Sequence, residues 1–581
     1  MKRVGFHASP VLGMRPVFWR ARLVVLVLLL GFMALAVKAL DLQVLSNEFL
    51  QRQGERRYER TLVLPATRGK IFDRSGSVVL ASSVPARAVW AVPEDFNRAD
   101  DAQVRQLAEL LGLQVGELRQ RTAGDARSFV YLRRQVPLDV GRKISALKIP
   151  GVHQLPETRR IYPEGDVMAH IVGFANIEDH GIEGMELAFD DHLSGQPGMR
   201  RVIRDRLGRI VEEVQAVVPP VDGHNLRLSI DAGIQFDAWK ALQEALEVHK
   251  AQAGTAIVLD VQTGEILAMV TLPSYDPNET SQRSGPALRN RVVTDTFEPG
   301  SIMKPFTAAL ALDSGRIALD TLFDTGNGRY AYHGAVISDV SRNGRLDVRG
   351  IIRHSSNIGM TMIADRLDAR SMWTTFSELG FGRVPSMLFP GTASGRLRPW
   401  QRWRPIEQAT MAYGYGLSVS LLQVARAYTV FARDGDMVSL SMVRREGRPT
   451  SVQVYSPEVA RLMRGMLEAA AGPDGARLAQ VRGYRVAGKS GTARKIVNGR
   501  YSKTKYRSSF VGFAPVSDPR IVVAVSIDEP GAGGYYGGRV AAPVFADIVS
   551  GTLRRMGVRP DAPVEAVDAL VAAAPGGRAV Q

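Results

Sequence analysis

The chain has 581 residues, a formal net charge of +16 at pH 7 and no cysteine, while 45% of its residues are hydrophobic and 23% are charged. This composition is typical of a globular protein with room for two or three domains, and it excludes a disordered chain. Without cysteine, disulfides, thiolate catalysis and cysteine-ligated zinc are excluded, and the nine histidines show no paired spacing typical of a metal site.

A membrane anchor is predicted near the N-terminus, where residues 23–37 are unbroken apolar sequence and Lys38 is followed by two more apolar residues. A helix over 23–40 spans about 27 Å, close to the ~30 Å hydrocarbon core of a bilayer. The residues before it include basic side chains and no acidic one, namely Lys2, Arg3, Arg15, Arg20 and Arg22. The positive-inside rule therefore predicts a cytoplasmic tail at 1–22, a transmembrane helix at 23–40 and export of the remainder.

A cleaved signal peptide is the alternative interpretation of this segment, with Ala34-Leu35-Ala36 as its processing site. The apolar run is long for a signal peptide and continues into a helical pattern, which favours the retained anchor. Both interpretations place most of the chain outside the cytoplasm.

Short strands, turns and amphipathic helices follow the anchor, so residues 41–221 are predicted to form an extended mixed α/β module. The sequence PPVDG at 219–223 marks its end. The later part begins with a strand, a long helix and a hairpin at 254–273, and it finishes with two strands and a helix. Strands at both ends with helices between them indicate one sheet closed by its first and last segments. We therefore predict a second mixed α/β domain at 222–560, followed by a flexible tail at 561–581.

The candidate nucleophile is Ser301, within EPGSIMKPF at 298–306. A Pro-Gly turn followed by an apolar helical run places Ser301 at a helix N-terminus, with Lys304 one turn further on the same face. An uncharged lysine amine activates a serine hydroxyl, and the helix dipole favours negative charge at that end. Ser145 and Ser502 also precede a lysine by three residues, but the first lies in an amphipathic helix and the second in a predicted basic loop.

A second motif, S-x-N, would supply a hydroxyl for proton relay and an amide to hold a peptide substrate. At 341–343 the motif precedes glycine and is typical of a turn. At 355–357 it lies between two apolar helical stretches, a break predicted to face a cleft. We therefore select Ser355 and Asn357.

Residues 483–492, GYRVAGKSGT, fit two motifs. G-x-x-x-x-G-K-S is a phosphate-binding loop, whereas K-S-G-T is an edge strand of enzymes that acylate a serine. The flanking sequences lack the apolar strand and the helix that a phosphate loop needs, and ATP is a cytoplasmic ligand. In an edge strand, Lys489 would attract a carboxylate and Gly491 would leave room for a substrate backbone. The Thr492 N–H would join the Ser301 N–H in an oxyanion hole.

The ordered set S-x-x-K, S-x-N and K-S-G resembles the penicillin-binding protein and serine β-lactamase superfamily. Further motifs are similar to those of class B penicillin-binding proteins: RGKIFDRSG at 68–76, RIYPEGDVMAHIVGF at 160–174, GIEGMELAFDDHLSGQPG at 181–198, AYGYGLSVSLLQVARAY at 412–428 and GGYYGGRVAAPVF at 533–545. E-P-G-S and H-I-V-G-F-A-N resemble the cell-division (FtsI) type within this class. His354 stands where relatives often carry lysine, and Ser420-Leu421 replaces a usual Thr-Pro.

The resemblance implies a penicillin-binding transpeptidase fold, with a central antiparallel sheet flanked by helices, behind an N-terminal dimerisation or pedestal module. It implies a septal peptidoglycan D,D-transpeptidase that β-lactams acylate and that needs no metal or cofactor. The catalytic residues would be Ser301 as nucleophile, Lys304 as base and Ser355 as relay. The substrate-binding residues would be Asn357, Lys489, Ser490, Gly491 and Thr492.

The implied partners are peptidoglycan stem peptides and the division proteins FtsW, FtsN and the FtsQ-FtsL-FtsB complex, at the septal inner membrane. Nucleic acid is not expected, because the basic residues are spread along the chain without an arginine-rich arm. The alternatives are an elongation-type transpeptidase, a β-lactam sensor and an inactive scaffold. A sensor would need several spans or an H-E-x-x-H protease, and the sequence contains one predicted span and no such motif.

Overall fold

The computed structural model describes residues 18–41, 59–123, 129–204 and 210–562. The chain forms two compact units, one of Met1–Ala66 with Gln196–Val221 and one of Thr67–Gly195 with Asp222–Gln581. Most of the predicted cytoplasmic tail and of the predicted C-terminal tail lies outside the described residues.

The N-terminal half of the described chain contains both helices and strands. In order they are α1 (Phe18–Leu40), β1 (Glu59–Leu64), β2 (Ile71–Phe72), β3 (Val79–Ala91), α2 (Pro93–Phe96), α3 (Asp101–Leu111), α4 (Val115–Thr122), β4 (Val130–Pro137), α5 (Leu138–Ala146), β5 (Val152–Ile161), α6 (Gly165–Val172), α7 (Gly184–Ala188), α8 (Asp190–Leu193), β6 (Gly198–Arg204), β7 (Ile210–Val218) and β8 (Leu226–Arg227).

The C-terminal half begins with a long helix and a hairpin and ends with three strands and a helix. In order the elements are α9 (Ala232–His249), β9 (Ala253–Asp260), β10 (Ile266–Leu272), α10 (Arg291–Thr294), α11 (Lys304–Asp313), β11 (Phe323–Asp324), β12 (Arg329–Tyr332), β13 (Ala335–Ser338), β14 (Arg345–Leu346), α12 (Val348–His354), α13 (Asn357–Ala364), α14 (Ala369–Glu378), α15 (Pro405–Ala412), α16 (Leu421–Ala432), β15 (Asp436–Val438), β16 (Ser451–Gln453), α17 (Pro457–Ala471), β17 (Ala487–Val497), β18 (Arg500–Ala514), β19 (Ile521–Asp528) and α18 (Gly537–Arg555).

The first unit contains α1 and a three-stranded antiparallel sheet of order β1-β6-β7. Of the described helices, α1 alone is long and apolar enough to cross a membrane, with a mean hydropathy of 2.7. It begins five residues before the predicted span, because Phe18, Trp19 and the residues up to Arg22 continue the helix. Lys38 lies in its last turn, as expected for a side chain that reaches towards the interface.

The N-terminal part of the second unit is a mixed sheet of order β4-β3-β2-β8, with β5 paired along the long strand β3. Helices α3, α4 and α5 pack on it through a small apolar core that includes Val104, Leu107, Leu111, Leu118 and Leu132. In the same part of this unit, Glu186 is fully buried and accepts hydrogen bonds from the guanidinium groups of Arg68 and Arg160, both at 2.7 Å.

The central sheet of the second unit is entirely antiparallel and has the order β10-β9-β19-β18-β17. The first hairpin therefore pairs with the last strand, with Ile521 opposite Asp260, as the sequence predicts. Every residue of β9, β10 and β19 is buried, because helices cover both faces. Helices α9 and α18 pack on one face, and α11, α12, α13 and α16 contribute to the larger core on the other. The predicted mixed α/β fold class is confirmed.

Candidate active site

Ser301 lies in a 3-10 turn, Gly300–Met303, that leads directly into α11. Pro305 occupies the first turn of α11, where a missing N–H costs little. The Gly300 N–H donates to the Gly414 carbonyl at 3.0 Å, and a Cβ on Gly414 would lie only 2.1 Å from the Gly300 carbonyl oxygen. The glycine at 414 therefore allows a second chain segment to hold the turn that presents Ser301.

Lys304, one turn after Ser301, has a fully buried side chain. Its ammonium nitrogen contacts the Ser355 carbonyl and lies 3.1 Å from Ser355 Oγ. Burial lowers the pKa of Lys304 well below its ordinary value, and the positive charge of Lys489 lowers it further, while Asp339 opposes both. The consequence is an amine that gives up its proton more readily than an ordinary lysine and can then accept one from a hydroxyl.

Ser355 and Asn357 flank the break between α12 and α13, where the sequence places them. Ser355 ends α12 in a left-handed conformation with φ of 57°, which turns its hydroxyl towards Lys304. Ser356 caps α13, because its Oγ accepts the Gly359 N–H at 2.9 Å. Asn357 Nδ2 donates to the Ser338 carbonyl at 3.0 Å, so β13 holds the amide group.

Asp339 also belongs to this cluster, although it could not be identified from the sequence. Its Oδ1 accepts the backbone N–H groups of Asn357 at 2.6 Å and of Ile358 at 3.0 Å, and its Oδ2 accepts the Ser356 hydroxyl. The carboxylate thus fixes the S-x-N turn and satisfies the first donors of α13. It follows β13 in an unremarkable segment, so no local motif marks it.

Lys489, Ser490, Gly491 and Thr492 lie in β17, the outermost strand of the central sheet. A phosphate loop would have required a helix immediately after Ser490, and β17 instead continues to Val497, so the nucleotide interpretation is wrong. The Lys489 side chain is 3% exposed, and burial lowers its pKa to about 8.

The glycine of this strand allows β17 to approach the Ser301 turn. A Cβ on Gly491 would lie 3.0 Å from the Pro299 carbonyl oxygen and 3.0 Å from Ile302 Cγ2. Thr492 Oγ1 accepts the Gly537 N–H at 3.0 Å, which ties β17 to the start of α18. The Ser301 turn, the lysine of α11, the S-x-N turn and the K-S-G-T strand therefore surround one site.

The other S-x-x-K and S-x-N motifs lie outside this site, and their serine or asparagine side chains form local hydrogen bonds. Ser145 in α5 accepts a hydrogen bond from Gln154 Nε2 at 3.1 Å. Ser502 lies in strand β18 rather than in the predicted loop, and its Oγ accepts the N–H groups of Thr504 and Lys505. Asn343, on an exposed segment, donates to the Ser341 carbonyl at 3.3 Å.

Comparisons with known proteins agree on one family. The penicillin-binding protein transpeptidase domain matches residues 254–550, and the penicillin-binding protein dimerisation domain matches residues 63–228. The chain belongs to the class B penicillin-binding proteins. Peptidoglycan D,D-transpeptidase FtsI of Escherichia coli is 39% identical to this penicillin-binding protein over 551 residues, covering 94% of this chain and 93% of FtsI.

Two further relatives support the same family. A protein of Neisseria gonorrhoeae named "Probable peptidoglycan D,D-transpeptidase PenA" is 42% identical over 551 residues, covering 94% of each chain. The solved transpeptidase domain of Burkholderia pseudomallei penicillin-binding protein 3 is 51% identical, with a TM-score of 0.54, and covers 58% of this chain and 98% of that one.

Proposed function

We propose that this penicillin-binding protein is a septal peptidoglycan D,D-transpeptidase that joins stem peptides through an acyl-enzyme on Ser301. One observation carries the proposal: the buried Lys304, with its lowered pKa, stands one turn after Ser301 and contacts the Ser355 hydroxyl. A buried amine with a lowered pKa can act as the base that makes a serine hydroxyl nucleophilic.

In the first half of the reaction, Ser301 Oγ attacks the carbonyl carbon between the two terminal D-alanines of a stem peptide. Lys304 takes the hydroxyl proton as the ester bond forms. The peptide bond then breaks, and its nitrogen receives the proton through Ser355, so D-Ala leaves as an amine.

Substrate and transition state would be held by the groups around Ser301. The N–H groups of Ser301 and Thr492 would stabilise the oxyanion. Asn357 and the backbone of β17 would hold the donor peptide, which would lie along this edge strand at Ser490 and Gly491. Lys489 and Thr492 would bind its terminal carboxylate. β-Lactams would acylate Ser301 by the same route.

In the second half, the side-chain amine of a neighbouring stem attacks the ester carbonyl. A new amide bond forms, the bond to Ser301 Oγ breaks and the hydroxyl is restored. The products are a cross-linked peptide and free D-Ala, and no redox step or external energy source is required.

The biochemical test uses the full chain in detergent with a stem pentapeptide donor, scored by released D-Ala and by the mass of the cross-linked product. We expect Lys304→Ala to abolish both products, while Lys240→Ala, on the surface of α9, leaves them unchanged. Cross-linking by the Lys304→Ala protein at the wild-type rate would refute the proposed base.

A septal role is supported by the cell-division motifs and by the similarity to FtsI. We propose a single-pass protein of the inner membrane with its catalytic domain in the periplasm, working with FtsW, FtsN and the FtsQ-FtsL-FtsB complex. The protein is expected at midcell in dividing cells of the native host, and its depletion is expected to give long filaments. Rounded cells would instead support the elongation-type alternative.

A further inference from the structure

The second half of the reaction poses a problem of proton balance that Lys304 does not solve alone. An alkyl amine has a pKa of about 10.4, so at neutral pH the acceptor arrives as an ammonium with three protons on nitrogen. The amide product keeps one of them. Of the two that leave, one restores the Ser301 hydroxyl through Lys304, and the other needs a second acceptor.

Glu298, three residues before Ser301, is the carboxylate placed to meet this need. Its Oε1 accepts the Gly416 N–H at 2.7 Å and the Tyr501 hydroxyl at 3.1 Å. Its Oε2 is buried and has no hydrogen-bond partner among the described residues. An unpaired buried carboxylate oxygen is costly, which indicates a site that a ligand completes. The oxygens of Asp339, by contrast, already accept three donors.

A cavity of about 210 Å³ adjoins this carboxylate and is lined by Phe297, Glu298, Ser418, Arg494 and Arg507, among others. Ala493 also lines it, and a Cβ on Gly300 would lie 3.7 Å from that of Ala493. The cavity therefore lies beside β17 and β18, and its wall includes a residue close to Gly300, which precedes Ser301.

The charged and titratable groups that face Glu298 come from three elements. They are Tyr415 from the turn before α16, Tyr501 and Arg507 from β18, and Arg494 and Lys495 from β17. Two of these cations are engaged elsewhere: Lys495 pairs with Asp528 and Glu529, and Arg507 pairs with Asp528. Burial raises the pKa of Glu298, while its bonds to Gly416 and Tyr501 lower it.

We propose that Glu298 and this cavity form the acceptor subsite, where the Glu298 carboxylate binds the acceptor ammonium and first takes one proton from it, which frees the nitrogen lone pair that then attacks the ester carbonyl. The inference rests on the proposed transpeptidase function. The C–O bond to Ser301 breaks, one proton passes through Lys304 to Ser301 Oγ, and the other passes from Oε2 of Glu298 to solvent. The substrate recognised here is a primary alkyl ammonium.

The test compares two acceptors on one acyl-enzyme, formed from a thioester donor. D-Alanine brings an ammonium and must lose two protons, whereas hydroxylamine is largely uncharged at pH 7.5 and must lose one. We expect Glu298→Gln to slow transfer to D-alanine about tenfold or more and to leave transfer to hydroxylamine unchanged. Glu378→Gln, which alters an exposed carboxylate at the end of α14, should change neither.

Equal losses with both acceptors, or no loss with D-alanine, would overturn the proposal. Acylation of Glu298→Gln by labelled penicillin is measured alongside, and normal acylation shows that Ser301 chemistry and the fold are intact. Failure of the acceptor subsite is thereby distinguished from failure of the transpeptidase function, which would appear as absent acylation of the wild-type chain.

Tyr501→Phe gives an independent test that spares Glu298. Removing the Tyr501 hydroxyl takes away a hydrogen bond that lowers the Glu298 pKa, so that pKa rises. Glu298 accepts a proton only as a carboxylate. The acid limb of the pH–rate profile for D-alanine transfer should therefore move to higher pH, while the acid limb for penicillin acylation stays in place. An unmoved limb for D-alanine would contradict the proposal.

Discussion

At the scale of single residues, Lys304 has a side chain whose chemistry depends on its surroundings more than on its position in sequence. The spacing of Ser301 and Lys304 follows from helix periodicity and was predictable. The charge state of the lysine was not, because it is set by burial and by Lys489, which lies 185 positions further along the chain. The roles of Asp339 and of the unpaired Glu298 oxygen could not be predicted from sequence for the same reason, because both depend on residues that are distant along the chain.

The pH dependence of acylation follows from this arrangement. Lys304 acts as a base only when uncharged, so acylation of Ser301 by penicillin should rise with pH through its lowered pKa and then level off. Lys489→Ala removes a positive neighbour and raises that pKa, so we expect the acid limb to move to higher pH. Lys495→Ala, in the same strand but paired with Asp528, should leave it in place. Stopped-flow acylation rates across pH provide the measurement, and identical limbs in all three proteins would contradict this electrostatic coupling.

At the scale of elements, α13, which follows the S-x-N turn, and α14, the next helix, depend on caps that lie at different distances along the chain. Asp368 caps α14 from the adjacent position, a pattern that sequence alone indicates. Asp339 caps α13 across 18 positions, through its bond to the Asn357 N–H. The edge position of β17 was predictable from its flanking sequence, whereas the 3-10 turn at Ser301 and the strand at Ser502 depend on tertiary pairing.

A matched pair of substitutions separates stability from catalysis. Asp339→Ala and Asp368→Ala each remove a carboxylate that accepts N–H groups at the start of a helix, and each is expected to lower the free energy of unfolding by about 1 kcal/mol. Only Asp339→Ala should also slow penicillin acylation, because it loosens the turn that carries Ser355. Denaturant unfolding and acylation kinetics on both proteins test this, and equal acylation rates would show that Asp339 is merely structural.

At the scale of the whole molecule, the second unit shares buried groups between its N-terminal part and the central sheet. Glu265, fully buried beside β10, pairs with Arg74 from the RGKIFDRSG segment and accepts the Arg445 N–H at 2.5 Å. The sequence motif at 68–76 was recognisable, but its contact with Glu265 depends on the fold. The predicted boundary at 222 therefore separates residues that the structure packs together.

A fragment of residues 222–560 tests the predicted domain. We expect it to fold and to acylate with penicillin, but Glu265 loses its ion-pair partner Arg74, and removing one partner of a buried ion pair costs about 3 kcal/mol. Glu265→Gln should therefore stabilise the fragment and destabilise the full chain, as measured by denaturant unfolding. The same sign of change in both proteins would contradict this account of the Arg74 contact.

The most direct measurement is the site at which labelled penicillin becomes attached, determined by mass mapping of peptides from the full-length protein. We expect a single label on Ser301, its loss in Ser301→Ala and its retention in Ser145→Ala and Ser502→Ala. A label on another residue, or a Ser301→Ala protein that still reacts, would contradict the central claim that Ser301, activated by a buried amine, forms the acyl-enzyme.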